Sequence, residues 1–275
     1  MTLGAARAAS TLGEDSFARD DSVWSPVNLP DKRSANIPER CSAQTVGAQG
    51  SSGTAAPGPL VVKHLGLMPY AETFAAMRAF TATRNADSAD QIWLTEHAPV
   101  YTLGLAARRE HVLDTHGIAL VQTDRGGQVT YHGPGQLIAY LLIDLRRRNL
   151  KVLELVRAIE AAVIATLAEL GIAGHRRDNM PGVYVDDAKI AALGLKVKGG
   201  CSYHGVSLNV DGALAPFAGI HPCGYQGLPV TSLSELGARA SLAQTADRLA
   251  LHLQARIGGQ AVPSPGTILA PHPRG

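Results

Sequence analysis

Two periodicities alternate along the chain. After Pro69, the residues Phe74, Met77, Phe80 and Thr81 recur at helical spacing, and the pattern ends near Asn85. Residues 91–95 (QIWLT) and 100–103 (VYTL) read as strands broken by Pro99. Residues 136–145 (QLIAYLLIDL) form a nearly continuous apolar run of strand length, the mark of a strand covered on both faces. Asn149 is placed to cap a second helix, on which Val152, Val156, Ile159, Val163, Leu167 and Leu170 follow the 3.6-residue period until Gly171 stops it. Three short strands are predicted at 183–185, 189–197 and 203–210, turning at Asp186-Asp187 and Gly199-Gly200. A last helix begins at Ser241, where Gln244 completes a capping box, and turns Leu242, Leu249 and Leu253 inward. A strand-rich middle between helices predicts an α/β (α+β) fold, a mixed β-sheet flanked by helices.

Composition narrows this picture at the two ends. Residues 1–59 contain ten large apolar residues, with five basic and six acidic ones, and the stretch 43–59 is almost entirely small or turn-forming. Such a segment buries too little to offset its ordering entropy, so a disordered extension is expected over 1–59. It has neither the apolar centre of a signal peptide nor the acid-poor character of a transit peptide. The residues from Gly258 to the end read as a flexible tail, leaving one domain over 60–257.

Charge and cysteine usage exclude several classes. No run of about 18 apolar residues is present, which argues against a membrane-spanning helix. The net charge of +2 is too small to mark a nucleic-acid binder. Three cysteines, Cys41, Cys201 and Cys223, are too few for a disulfide scaffold and lack CxxC spacing, so a cytoplasmic protein without a structural metal is expected.

The candidate chemistry lies in three segments. The first runs Arg125, Gly126, Gly127, Gln128, Val129, Thr130, Tyr131, His132, Gly133, Pro134, Gly135, Gln136. Its glycines allow the backbone to lie close to a ligand, and Tyr131 and His132 add an aromatic wall and a polar group. The same residues also suit a long glycine-rich hairpin turn. The second segment sets Lys189 immediately before the apolar stretch IAALGL, where partial desolvation would make it a proton acceptor, although a solvated lysine at a strand start looks the same. The third places Cys223 between Pro222 and Gly224, a loop setting that suits a nucleophile better than Cys201, which reads as an inert buried thiol. A thiol of ordinary pKa about 8.5 is only about 3% thiolate at pH 7, so a neighbouring cation must help. Lys189 and His221 are both candidates, and lowering the pKa by about 2 needs about 2.7 kcal/mol.

Taken in order, the strings RGGQVTYHGPGQL, KIAALGLKV, GCSYHGVSLNV and PCGYQG resemble the lipoyl(octanoyl) transferase family of lipoate synthesis, over about residues 60–255. The resemblance implies a fold like the catalytic domain of biotin and lipoate protein ligases. It implies that Cys223 carries an acyl thioester and that Lys189 lowers its pKa. The implied substrate-binding stretches are Arg125 through His132, then Ala192, Leu193 and Gly194, then Gly205, Val206 and Ser207. The implied donor is octanoyl-acyl carrier protein. The implied acceptors are lipoyl domains of 2-oxoacid dehydrogenase E2 subunits and the glycine cleavage H protein, with no cofactor. His221 and Ala192 depart from residues common in the family, and neither is a reacting group. An ATP-dependent ligase on the same fold and a non-catalytic carrier-protein binding module are the competing readings. The groups Arg146-Arg147-Arg148 with Lys151, and Arg176-Arg177, are expected to steer acidic partner proteins.

Overall fold

The computed structural model describes Gly58 and residues 60–258, apart from the side chain of Cys223. The remainder of the expected extension and tail, Cys41 included, lies outside the described residues. The elements run β1 Leu60–Met68, α1 Tyr70–Thr83, β2 Asp90–His97, β3 Val100–Leu103, β4 Ala119–Gln122, β5 Val129–His132, β6 Gln136–Leu142, α2 Val152–Glu169, β7 His175–Arg177, β8 Met180–Val185, β9 Ala188–Lys198, β10 Cys201–Asn209 and α3 Leu242–Gly258. Seven strands form one sheet in the order β1-β2-β6-β10-β9-β8-β7, antiparallel except for the β1–β2 edge pair. A second sheet has the order β4-β3-β5, with β4 parallel and β5 antiparallel to β3.

Strand β6 shows why the apolar run is continuous. Leu137, Ala139 and Leu141 enter the core beneath α2 and α3, whereas Ile138, Tyr140 and Leu142 enter the core beneath α1. With helices on both faces, every position from Leu137 to Leu142 is buried and the apolar run is continuous there. The small sheet has its own core of Tyr101, Leu103, Leu120, Val129, Tyr131, Phe217 and Ile220. Backbone bonds stitch the large sheet to neighbouring loops. Gly126 N–H donates to Leu195 O (2.9 Å), Lys189 N–H to Pro229 O (2.8 Å), and Thr231 N–H to Lys189 O (3.0 Å).

Several expectations need correction. Residues 129–132 are a strand, not part of a turn, because pairing with β3 satisfies their backbone despite the flanking glycines. Strand β6 stops at Leu142, three residues short of the apolar run. Asn149 does not cap α2. It adopts a left-handed conformation (φ 50°) that closes the preceding turn, and Lys151 is the cap, its N–H donating to Glu154 Oε2 at 2.7 Å. The inward face of α2 consists of Leu155, Ile159, Glu160, Ala162, Val163, Thr166 and Leu167, while Val152 is exposed.

The arginine groups are also committed elsewhere. Arg84, Arg147 and Arg148 converge on the buried carboxylate of Asp90, at 2.5, 2.8 and 2.5 Å. Arg148 further donates to Gly58 O (2.9 Å) and Ile257 O (3.3 Å), tying both ends of the domain together. Arg177 pairs with Asp187 and lies over the Tyr184 ring. For Arg147 and Arg148 the expected steering charge is therefore a structural tie, because the buried Asp90 demanded their guanidinium groups, while Arg146 and Lys151 stay exposed.

Candidate functional site

A cleft of about 510 Å³ opens between the stretch from Arg125 to His132 and the paired strands β9 and β10. Two segments that stand apart in sequence form its floor as cross-strand neighbours: Ala192 beside Ser207, Leu193 beside Val206, and Gly194 beside Gly205. Only glycine fits at 205, because a Cβ there would lie 2.0 Å from the Ala139 carbonyl oxygen. The opposite wall is Gly127, Gln128, Val129 and Thr130, with Arg125 and His132 at its ends. Most of this lining is apolar or backbone, as a hydrocarbon chain requires.

Two of the expected binding residues do not line this cleft. Gly126 instead spends its N–H on Leu195, locking the glycine-rich segment onto β9. Tyr131 points into the small core, with ring centroids 5.5 Å from both Tyr101 and Phe217. Alternation along β5 explains this, since Thr130 and His132 face the cleft while Tyr131 faces away.

The inner end of the cleft was not foreseen from sequence. Tyr70, Ile138, Tyr140 and His204 close it. His97 and His132 belong to the same aromatic group, the His132 ring stacked on Tyr70 at 6.0 Å. His132 Nδ1 donates to Gln136 Oε1 at 2.7 Å, because the Gln136 amide NH₂ is already turned to Tyr131 O and Asn209 Oδ1. Burial, reinforced by His97 nearby, pulls the His132 pKa down to about 3, so the ring is neutral. His97 is likewise held neutral by burial, donating from Nδ1 to Met68 O and accepting at Nε2 from the Tyr140 hydroxyl. His204 takes the unusual φ of 61° inside β10 and reaches Asp124 Oδ1 through Nε2 at 2.9 Å. Burial would raise the Asp124 pKa, but the hydrogen bonds from His204 and Tyr203 outweigh it and hold the carboxylate low. His204 and Asp124 stand within or beside recognisable strings. Tyr70 and Tyr140 arrive from a helix start and a core strand that carry no chemical signature.

A second, smaller pocket shares Thr130, Ala192 and Ser207 with the cleft and adds Lys189, Asn209, Phe217 and Pro222 to its lining. Lys189 is buried, with Nζ donating to Pro181 O at 2.9 Å and lying 5.2 Å from the centre of the Tyr184 ring. Cys223 occupies the middle of a short 3-10 turn, Pro222–Gly224, whose backbone is held by His221 N–H to His111 O and Gly224 N–H to His221 O. This turn rests on the glycine-rich segment, since Gly224 lies against Gln128 and His111, and His111 Nδ1 lies 3.0 Å from Gln128 Oε1. Cys201 opens β10 as a buried thiol whose pKa burial raises, in keeping with an inert role. Among the described residues, no helix is long and apolar enough to cross a membrane.

Residues 69–254 match the family model described as the lipoyl protein ligase A/B catalytic domain. An octanoyltransferase of Azoarcus sp. (strain BH72) is 58% identical over 207 residues, covering 75% of this chain and 91% of that protein. An octanoyltransferase of Laribacter hongkongensis (strain HLHK9) is 56% identical over 196 residues, covering 71% and 95%. Among solved structures, lipoate-protein ligase A bound with ATP aligns with a TM-score of 0.59 at 15% identity, over 74% of this chain and 86% of that one. A bipartite lipoate protein ligase of Thermoplasma acidophilum aligns equally well, with a TM-score of 0.59 at 15% identity over 74% and 85%. At such identities the structural likeness speaks for the fold alone.

Proposed function

Because the chain belongs to the lipoyl protein ligase A/B catalytic-domain family and is an octanoyltransferase, an acyltransferase, we propose that it moves the octanoyl group through a thioester on Cys223. The donor is octanoyl-acyl carrier protein, and the acceptor is a lysine ε-amine on a lipoyl domain, in E2 subunits and the glycine cleavage H protein. The observation that carries this reading is that the apolar cleft shares Thr130, Ala192 and Ser207 with the pocket lined by Lys189 and Pro222, next to Cys223.

In the first step the Cys223 thiolate attacks the acyl carbonyl carbon. The bond to the pantetheine sulfur breaks, and the departing thiolate takes a proton from the Lys189 ammonium. In the second step the acceptor amine attacks the acyl-enzyme. A C–N bond forms, the bond to Cys223 sulfur breaks, and the excess amine proton returns to Lys189. A thioester becomes an amide, a downhill exchange that needs no nucleotide. Burial of six methylenes and the terminal methyl at about 0.8 kcal/mol per carbon gives about 5–6 kcal/mol for holding the chain in the cleft. The neutral histidines at its inner end suit an apolar terminus, since none brings a charge there. Such a reaction belongs in the cytoplasm, where carrier-protein thioesters are made.

Intact-mass analysis after mixing with octanoyl-carrier protein tests this reading. One octanoyl group is expected on the protein and on Cys201→Ser, and none on Cys223→Ser. An adduct that survives in Cys223→Ser overturns the assignment.

A further inference from the structure

Helix α2 carries one charged residue in its buried stripe. Glu160 lies on the inward face beside Ile159 and Val163, and its side chain is 8% exposed. A buried carboxylate must be given partners. One is the exposed Arg176, whose Nε lies 3.2 Å from Oε2. The other is the backbone N–H of Gly182, which donates to Oε1 at 3.0 Å.

The Gly182 N–H and the Pro181 carbonyl are two ends of one peptide group. Pro181 O is also the acceptor of the Lys189 Nζ bond. Glu160 and Lys189 are thus joined, on opposite sides of β8, through a single planar amide. The carboxylate pulls on the N–H end and concentrates negative charge on the oxygen that faces the ammonium, since hydrogen bonds in series polarise one another. Position 182 has to be glycine for this arrangement. Its φ of 130° is outside the range of other residues, and a Cβ would lie 2.6 Å from Lys189 Cε.

We propose that Glu160 is a positioning residue for the proposed transfer. Acting through the Pro181–Gly182 peptide, it holds Lys189 charged and in place beside the turn that carries Cys223. The proposal rests on the assignment of Lys189 as the group that lowers the Cys223 thiol pKa. It adds a residue, and a route, that apolar periodicity hides.

The test measures the pH dependence of Cys223 alkylation by iodoacetamide, with Cys41 and Cys201 replaced by serine throughout. Glu160→Gln retains an acceptor for the Gly182 N–H and removes only the charge. Its expected effect is a rise in the pH of half-maximal rate, in the direction of Lys189→Ala but smaller. From a thiol pKa near 6.5, a rise of roughly 0.5 takes the thiolate fraction at pH 7 from about 76% to about 50%, so alkylation is about 1.5-fold slower at pH 7 and unchanged at pH 10. In a Lys189→Ala background the same substitution should add nothing, because the route ends at the lysine. If Lys189→Ala moves the profile and Glu160→Gln does not, the inference about Glu160 is overturned while the lysine assignment stands. An equal effect of Glu160→Gln with and without Lys189 also overturns it. If Lys189→Ala leaves the profile unmoved, the underlying assignment has failed. Should Glu160→Gln unfold with Arg176 unpaired, E160Q with R176Q restores the charge balance and carries the same comparison.

Discussion

Arg148 and Asp90 form a buried ion pair, Nε to Oδ2 at 2.5 Å, with 2% and 0% of their side chains exposed. The same guanidinium holds the carbonyls of Gly58 and Ile257, so one side chain gathers the start of the domain, its last helix and the turn after β6. Removal of one partner leaves an uncompensated charge in the interior. Asp90→Ala should cost about 3–5 kcal/mol, read as a fall in the urea midpoint. Arg147→Glu with Arg148→Glu should likewise unfold the protein instead of selectively weakening carrier-protein binding. A well-folded double variant with a raised KM for carrier protein alone would restore the steering idea.

The same acid sets a lower pH limit. Burial by itself would raise the Asp90 pKa, but hydrogen bonds from the Asp144 N–H, Arg84 and Arg148 outweigh burial and bring it below the ordinary 3.8. Its folded-state pKa is depressed, so its stabilisation is present above about pH 3.8 and is lost as pH falls through the lower folded value. A second limit lies higher. His97, His132 and His204 have pKa values lowered from 6.5, first by burial, with His132 at about 3. Each is neutral when folded and takes up a proton on unfolding, so stability should decline as pH falls below 6.5. The limiting slope is about 1.4 kcal/mol per pH unit for each such histidine. Denaturation free energies between pH 4.5 and 7.5 test this. His132→Gln should flatten the slope by one histidine's share, and an unchanged slope would refute the assignment.

On the proposed reaction, Ala192 controls the room available to the acyl chain. It is half-buried in the cleft floor opposite Ser207. Ala192→Leu adds three carbons, and displacing about three substrate methylenes forfeits about 2.4 kcal/mol, or roughly 50-fold. The ratio of kcat/KM for octanoyl to that for a short acyl thioester should fall by this order. An unchanged ratio would mean that the chain lies elsewhere.

The capping box of α3 is a small, clean test of local coding. Ser241 N–H donates to Gln244 Oε1 (3.1 Å) and Gln244 N–H to Ser241 Oγ (3.2 Å). Ser241→Ala should lower stability by about 1 kcal/mol, and Ser241→Gly by only a few tenths. Equal losses in both variants would mean that the hydroxyl contributes nothing.

That cap was legible in sequence because both of its partners lie within four residues of each other. Strand β6 and helix α2 were legible for a related reason, since each carries its burial in its own period. Strand β5 was hidden because glycines on either side of it read as a turn, whereas pairing with β3, a long-range event, decides its conformation. The strings containing Ala192–Gly194 and Gly205–Ser207 could be recognised singly, but their adjacency is a matter of register between β9 and β10. Tyr70 and Tyr140 carried no signal, being a helix-start residue and a core residue until the fold brings them to one cavity. Glu160 was invisible to an apolar-stripe reading, which sends every acid outward. The arginines misled for the converse reason, as their charges were visible and the buried Asp90 was not.

The turn holding Cys223 leans on the small sheet through Gln128 and His111, whereas Lys189 belongs to the large one. Each sheet has its own hydrogen-bond ladder, so each can form while the proposed pair, Cys223 and Lys189, remains unassembled. During refolding, recovery of helix and strand signals should run ahead of recovery of acyl transfer. The interval between them would time the moment when residues 229–231 settle alongside Lys189 and Gly126 meets Leu195. In a crowded cell this order has a protective side, for the cleft lies between the Arg125–His132 stretch and strands β9 and β10, so a half-folded chain would lack the pocket as well as the proposed nucleophile's partner.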